Sequence, residues 1–262
     1  NTTVKWYALT STVSNTTTDI DYLTLSVMNN SGSNYSYFVG DSNSTDYFRS
    51  KTTGNWNSTS NWESSSDNLK WVPATFVPGS SATAVTILAG HTVNLDINTT
   101  ISVLTVNNSG LLEVNAAKQL TISSSLTNNG TLTLKSNSSD GTATLIPASI
   151  SGSGSYNVEQ YLTGGRNWYV SSPVSAGAMP TAGYERSEQY NTWPLVNKNA
   201  AMTVGKGYIV KPLSDSTITF NGTINNDEPT IGLTRSVVTK AGFNLVGNPY
   251  PCYYQWTKAQ AD

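Results

Sequence analysis

The sequence predicts an all-β chain: a short right-handed parallel β-solenoid flanked by an N-terminal β-hairpin and strand region and a C-terminal antiparallel β-sandwich. Three observations predict it. Pairs of apolar residues return at a nearly constant interval between Val85 and Val158. Turn glycines recur at matching places in that repeat, in Asn108-Ser109-Gly110 and Asn128-Asn129-Gly130. Charged residues make up only 11% of the chain, against about 25% in an ordinary globular protein, and Thr, Ser and Asn stand in their place. Thr suits strands and Asn and Ser suit the turns between them. Aromatic residues reach 10%, which a disordered chain of low charge would lack.

Three segments are expected: 1–48, 49–158 and 159–262. In the first, Val4, Trp6 and Ala8 alternate, and Leu23, Leu25 and Val27 are answered across a polar link by Tyr35, Tyr37 and Val39. That pattern is a hairpin, too small for a core of its own. Val4, Trp6 and Ala8 lie on an extended strand suited to completing its own sheet or to adding to the exposed sheet edge of a neighbour. Residues 49–84 are rich in turns and carry Trp56, Trp62 and Trp71. A solenoid exposes an apolar end and an unpaired edge at its first coil, and these tryptophans are suited to cover both.

The solenoid itself is read from three columns. Val85 and Ile87 are answered by Leu104 and Val106 and then by Leu126; Val93 and Leu95 by Leu112 and Val114, Leu132 and Leu134, and Tyr156 and Val158. Leu120 and Ile122 find their echo in Ala143 and Leu145. The interval, roughly 19 to 24 residues, is that of a coil of short strands stacking on itself. Gly110 and Gly130 are expected to supply positive φ at the corners. After Gly152-Ser153-Gly154 the period is lost. Strands are then expected at Trp168 to Val170, Tyr208 to Lys211, Thr217 to Phe220, Ile231 to Thr234 and Phe243 to Val246, with helix nearly absent.

Composition excludes several functions. The net charge is −2, from 14 basic and 16 acidic residues that form no block, so no face is built for a nucleic acid backbone. No apolar run approaches the roughly 20 residues of a membrane span, nor the core of a signal peptide. For a secreted protein Asn1 is then a trimmed start, and the ending at Asp262 is expected to continue in the natural polypeptide. Cys252 is the one cysteine, so no intrachain disulfide is expected and its role is that of a small buried apolar side chain.

A set of short phrases is shared with a known group. Phe48-Arg49-Ser50-Lys51, Gly54-Asn55-Trp56-Asn57, Trp62-Glu63-Ser64, Val77-Pro78-Gly79 and Gly90-His91-Thr92-Val93 resemble the opening of β-solenoid modules in large secreted proteins of the Bacteroidota. Gly164-Gly165-Arg166, Ser171-Ser172-Pro173-Val174, Gly205-Lys206-Gly207-Tyr208 and Asn244-Leu245-Val246-Gly247-Asn248-Pro249-Tyr250-Pro251 resemble the later parts of the same proteins, and together the phrases span 47–256. The resemblance implies a secreted or cell-surface, adhesin-like protein exported by the type IX route, although the usual sorting domain is not seen. Asp215-Ser216-Thr217 also fits the short O-glycosylation pattern of that phylum, which would modify Ser216.

Catalytic constellations are hard to assemble from this inventory. His91 is the one histidine, which precludes a multi-histidine metal site and makes it the sole base for a serine triad; its setting, between Gly90 and Thr92, is that of a turn-capping residue. Gly205-Lys206-Gly207 lacks the flanking residues of a phosphate loop. Glycosidases need two carboxylates, and solenoid lyases pair acidic calcium sites with a base. Here Asp96, Glu113 and Asp140, with Lys118 and Lys135, fall in different columns, Glu113 between Asn94 and Thr133. No cofactor is expected apart from calcium. Its candidate ligands are Asp41, Asn43, Thr45 and Asp46, which alternate oxygen donors without the glycine and distal glutamate of an EF-hand, then Asp19 with Asp21, and Asp227 with Glu228.

The reading that follows is a non-enzymatic structural or adhesive surface protein, a stiff rod that self-associates or meets other surface proteins and in one version is the repeating subunit of a filament joined through β-strands. Two other classes stay open. One is a carbohydrate-binding module, with Trp56, Trp62 and Trp71 as a stacking platform for glycans. The other is a fragment of a polysaccharide lyase or hydrolase.

Overall fold

A computed structural model of the chain describes residues 22–28, 34–40, 42–236 and 242–255. Two compact units are present, Asn1–Asp41 and Ser42–Asp262. In the first, β1 (Tyr22–Met28) and β2 (Asn34–Gly40) pair antiparallel in the register that sets Leu23 opposite Val39, Leu25 opposite Tyr37 and Val27 opposite Tyr35. Val4, Trp6 and Ala8 lie outside the described residues.

The second unit starts earlier than its apolar columns suggest. β3 (Tyr47–Ser50) lies parallel to β7 (Ala84–Ile87), with Phe48 opposite Val85, so residues 42–48 belong with the solenoid and not with the hairpin. Between these two strands come β4 (Gly54–Asn55), one 3-10 turn (Thr59–Asn61), β5 (Trp62–Ser65) and β6 (Val72–Pro73). The coils continue through β8 (Thr92–Leu95), β9 (Thr99–Val106), β10 (Leu111–Val114), β11 (Gln119–Asn128) and β12 (Thr131–Leu134). A small antiparallel pair, β13 (Ser136–Asn137) with β14 (Gly141–Thr142), leads to β15 (Thr144–Pro147), β16 (Ile150–Ser151) and β17 (Ser155–Leu162).

Two sheets form the walls. One runs β4-β8-β10-β12-β17 in parallel; the other runs β15-β11-β9-β7-β3 in parallel, with β16 on the free part of β11. The registers stack Val93, Leu112, Leu132 and Tyr156, and beside them Leu95, Val114, Leu134 and Val158. The facing wall stacks Val85, Leu104 and Leu126. All these side chains are buried, and each contributes about 1.5–3 kcal/mol of transfer free energy. The third column differs from the expected one by two residues. Leu145, not Ala143, stands opposite Leu120, and Ile122 is preceded by Ile101. The pairing of β11 with β9 is itself irregular between Ile122 and Ser125.

The corner glycines act through space rather than through φ. Positive φ falls on Ser109 (62°), while neither Gly110 nor Gly130 adopts it. A Cβ on Gly130 would stand 2.5 Å from the Asn107 carbonyl oxygen, so it is the close approach of successive corners that excludes a side chain. One polar residue enters the core column. Asn128 follows Ile87 and Val106 in register, is wholly buried, and is satisfied: its amide donates to the Ser155 carbonyl at 3.0 Å and its oxygen accepts from Gly130 N–H at 3.1 Å. The Tyr156 hydroxyl is buried without a hydrogen-bond partner. Burial pushes its pKa up to about 12, with the nearby Asn128 amide opposing.

At β17 the parallel stack ends. Its far edge pairs antiparallel with β23 (Ser216–Ile224), which in turn takes β19 (Val174–Ser175). A separate antiparallel sheet follows the order β18 (Trp168–Val170), β22 (Tyr208–Val210), β20 (Gly183–Glu185), β21 (Leu195–Val196). The expected strands at 231–234 and 243–246 are not strands; only Val246 forms an isolated bridge, to Lys206. One buried cluster runs from Phe48 through the columns to Val170, Met202, Tyr208 and Phe220, so the solenoid and the antiparallel sheets share a core.

Replacing Leu112 by Ala, at the middle of its column, is expected to destabilise the chain by about 2–5 kcal/mol in urea unfolding. Thr105→Ala on the outer face should stay within about 0.5 kcal/mol; equal effects would show that the column is not the core.

Candidate functional site

Two of the three tryptophans nominated as a sugar platform, Trp56 and Trp62, plug the end of the solenoid. Trp56 and Trp62 have no exposed surface, and their rings meet edge to face with centroids 4.9 Å apart. The Trp56 indole donates to the Pro78 carbonyl at 3.0 Å and that of Trp62 to the Trp56 carbonyl at 2.8 Å. Trp71 is half-buried under the guanidinium of Arg49, 4.2 Å from its ring centroid, and Arg49 also binds Glu63 at 2.8 Å. Neither Trp56 nor Trp62 can stack on a ligand in this arrangement, because covering the end coil already uses both faces.

His91 caps its turn through a partner that spacing did not reveal. Its Nδ1 lies 2.8 Å from the Ser50 hydroxyl oxygen, which also accepts the Leu88 N–H at 2.9 Å. Ser50 is wholly buried, so this serine–histidine pair ties β3 to the Leu88–His91 turn and offers no accessible nucleophile. In the proposed calcium loop, Asn43 Oδ1 accepts from Thr45 N–H at 3.3 Å and Asp46 Oδ2 accepts from Asn43 N–H at 2.8 Å. Asp46 is buried, so these oxygens serve the loop's own turn. Asp41, Asp19 and Asp21 lie outside the described residues, and Asp227 and Glu228 are exposed. No group of three metal-binding side chains forms among the described residues.

Two carboxylates come together on the outer wall through one lysine, where the columns placed no two acids together. Lys135 sits between Glu113, at 3.7 Å, and Glu159, at 3.0 Å. The hydrogen bond to Glu159 holds the lysine pKa above its ordinary value, so this amine stays protonated and is unsuited to act as a base. Glu159 escaped notice because it follows the last column. Ser216 opens β23 half-buried; its neighbour Asp215 accepts from the Tyr161 hydroxyl at 2.6 Å and from Gly164 N–H at 2.8 Å, which lowers the pKa of Asp215.

A cavity of about 320 Å³ lies where the solenoid ends. Its walls are Val158, Glu159 and Gln160 of β17, Phe220 of β23, Tyr169 to Ser171, and a return segment from Val246 to Tyr253. That segment is held by backbone and side-chain bonds instead of a ladder. Leu145 N–H donates to the Pro251 carbonyl at 3.0 Å, Gly207 N–H to Leu245 at 2.9 Å, and Asn225 to Pro249 at 3.0 Å. Asn248 closes its turn, accepting from Tyr250 N–H at 3.0 Å and donating to the Cys252 carbonyl at 2.6 Å. A Cβ on Gly247 would stand 2.7 Å from Ser171 Oγ, so only glycine lets this segment lie against Ser171. The Ser171 hydroxyl is itself buried and has no hydrogen-bond partner. Tyr169 and Tyr253 at the rim are 66% and 90% exposed. Cys252 lines the cavity half-buried, and desolvation raises its thiol pKa. The shared phrases in this region marked the segment without revealing what it encloses, since its strand-like pattern does not form a strand.

Beside it, Glu188 organises the approach to the return segment. Its buried carboxylate accepts from Ser236 N–H at 2.8 Å and Gly242 N–H at 2.7 Å, and these amides lower its pKa.

The profile of one family, described as a Domain of unknown function (DUF8693), matches residues 47–259. No curated protein and no solved structure gives a match.

Trp56→Ala is expected to cost about 3–5 kcal/mol of stability, and iodide should leave the fluorescence of Trp56 and Trp62 unquenched in the folded chain. Glu188 has a folded pKa below its unfolded value of about 4.3. Its contribution is therefore fully present above that pH and is lost as pH falls through the folded value. Unfolding of Glu188→Gln against the natural chain should show a stability gap at pH 7 that closes in acid; a gap independent of pH would refute the role.

Proposed function

We propose that this chain, which belongs to the DUF8693 domain family through residues 47–259, is a non-enzymatic structural or adhesive module of an extracellular surface protein. The observation that carries the reading is the uneven distribution of its contact-ready surface. Between Ser42 and Gly165, Leu69, Phe76 and Ile146 are the exposed large hydrophobic side chains; Tyr169, Tyr184, Tyr190, Trp193 and Leu195 head a larger group among the described residues after it. The solenoid's outer face is instead a polar ladder: Asn94, Glu113, Thr133, Asn157 and Asn221 follow one another in register. Asn157 donates to Thr133 at 3.3 Å and Asn221 to Asn157 at 2.6 Å, so the ladder satisfies itself.

A spacer with a quiet flank and a sticky end suits adhesion. On the C-terminal sheet Tyr169, Ile209, Tyr184 and Leu195 fall in one row across four strands, three of them well exposed. Such a row favours contact with another surface protein or a second copy. The resemblance to secreted Bacteroidota solenoid proteins supports export to the cell surface. Low charge and polar Asn and Thr faces suit that setting too.

Cells deleted for the chain should attach less to surfaces than cells carrying it, and the double variant Tyr184→Ser, Leu195→Ser should lose attachment while still being removed from intact cells by external protease. Unchanged attachment in the deletion strain, or protection from protease, would refute the reading. The filament version predicts polymers in electron micrographs of native material; monodisperse monomers would reject that version alone.

A further inference from the structure

We propose that the cavity at the end of the solenoid binds a neutral sugar residue, the terminal unit of a glycan; the inference rests on the adhesive reading and names what this end of the module holds. Four features of the cavity select that chemistry. Its volume of about 320 Å³ sits at the lower end of small-ligand pockets, enough for the end of a glycan but not for a buried stretch of polymer. Tyr169 and Tyr253 stand exposed at its rim, where a phenol ring offers a flat apolar face to the C–H side of a sugar ring and keeps its hydroxyl in water. The Ser171 hydroxyl is buried with no partner. An unpaired buried hydroxyl is unfavourable until a ligand bonds it, and a sugar hydroxyl both donates and accepts.

Charge supplies the fourth. Among the described residues no lysine or arginine lines the cavity, so an anionic ligand meets no cation from them. The one carboxylate among the described lining residues, Glu159, is already bound by Lys135 at 3.0 Å and by Ser136 N–H at 3.2 Å, so a cationic ligand meets no free anion from them. A purely apolar ligand would leave Ser171 and the Gln160 amide unpaired.

Cys252 gives a built-in reporter, because it lines the cavity and is the chain's single cysteine. The test uses the full chain and a panel of cellotriose, maltotriose, xylotriose, mannotriose and diacetylchitobiose. Maleimide labelling of Cys252 should slow about fivefold when one of these sugars is present at about four times its Kd, as one-site mass action requires. The affinity of that sugar should fall by at least about threefold in Tyr169→Ala and in Tyr253→Ala, each with an unchanged circular dichroism spectrum. No protection by any of the sugars at tens of millimolar overturns the proposal, as does protection that survives both tyrosine changes. Protection by a neutral tyrosine- and proline-rich peptide with none by the sugars also overturns it. Should a tyrosine variant not fold, labelling of the natural chain still decides. Attachment of cells to sugar-free polystyrene, measured in parallel, separates the two readings. Sugar binding without attachment refutes adhesion, and attachment without sugar binding refutes the ligand.

Discussion

The parallel ladder is the constraint on which the rest of this molecule depends. In a parallel stack every N–H and carbonyl of a rung is satisfied by the rungs above and below it, about 4.8 Å away. Interior rungs therefore solve their own hydrogen bonding, and the first and last rungs cannot. The unit answers this differently at its two ends. At the start, β3 turns its outer edge to β5, which pairs in turn with β6, and Trp56 and Trp62 fill the open bore. At the finish, β17 accepts β23 in the antiparallel sense, which lets the sheet stop and reverse without a further coil.

The core follows from the same geometry. Strict registry places like above like, so each column is a run of Val, Leu and Ile and there is no need for charge inside. The few polar residues admitted are matched to the ladder's own groups. Asn128 replaces an aliphatic residue in its column and bonds the backbone at the next corner. Outside, the same registry makes columns of Asn and Thr whose side chains bond one another, and it brings Glu113, Lys135 and Glu159 together. A wall of this kind is stiff and chemically quiet, since its polar groups are already engaged.

Beyond β17 the organising principle changes from ladder to side-chain anchor. Short strands leave much of the backbone without strand partners, and single side chains take over. Glu188 gathers the amides of Ser236 and Gly242, Asp215 fixes Gly164, and Asn248 closes the turn before Cys252. Anchored loops can enclose space that a ladder would fill, which is why the cavity lies here. They also leave aromatic side chains such as Tyr169, Tyr184 and Tyr253 standing in solvent.

Residues 85 to 158 carried most of the fold in their order alone: a period of two within each strand and a constant interval between strands define which side chains face inward and which stack. The hairpin register was equally legible, as Leu23, Leu25 and Val27 oppose Val39, Tyr37 and Tyr35. What periodicity cannot carry, tertiary structure decided. Whether Trp56 faces solvent or the bore depends on the coil it closes, and the same composition serves a sugar platform or a plug. The pairing of His91 with Ser50 joins residues from different coils. Leu120 meets Leu145 rather than Ala143, a two-residue offset that no spacing announces. The cavity is built by Tyr169, Ser171 and the segment from Val246 to Tyr253, residues far apart in the chain and brought together only by the end of the stack. Repetition is written in the sequence because each rung solves the same problem; the site is not, because it arises where the repetition stops.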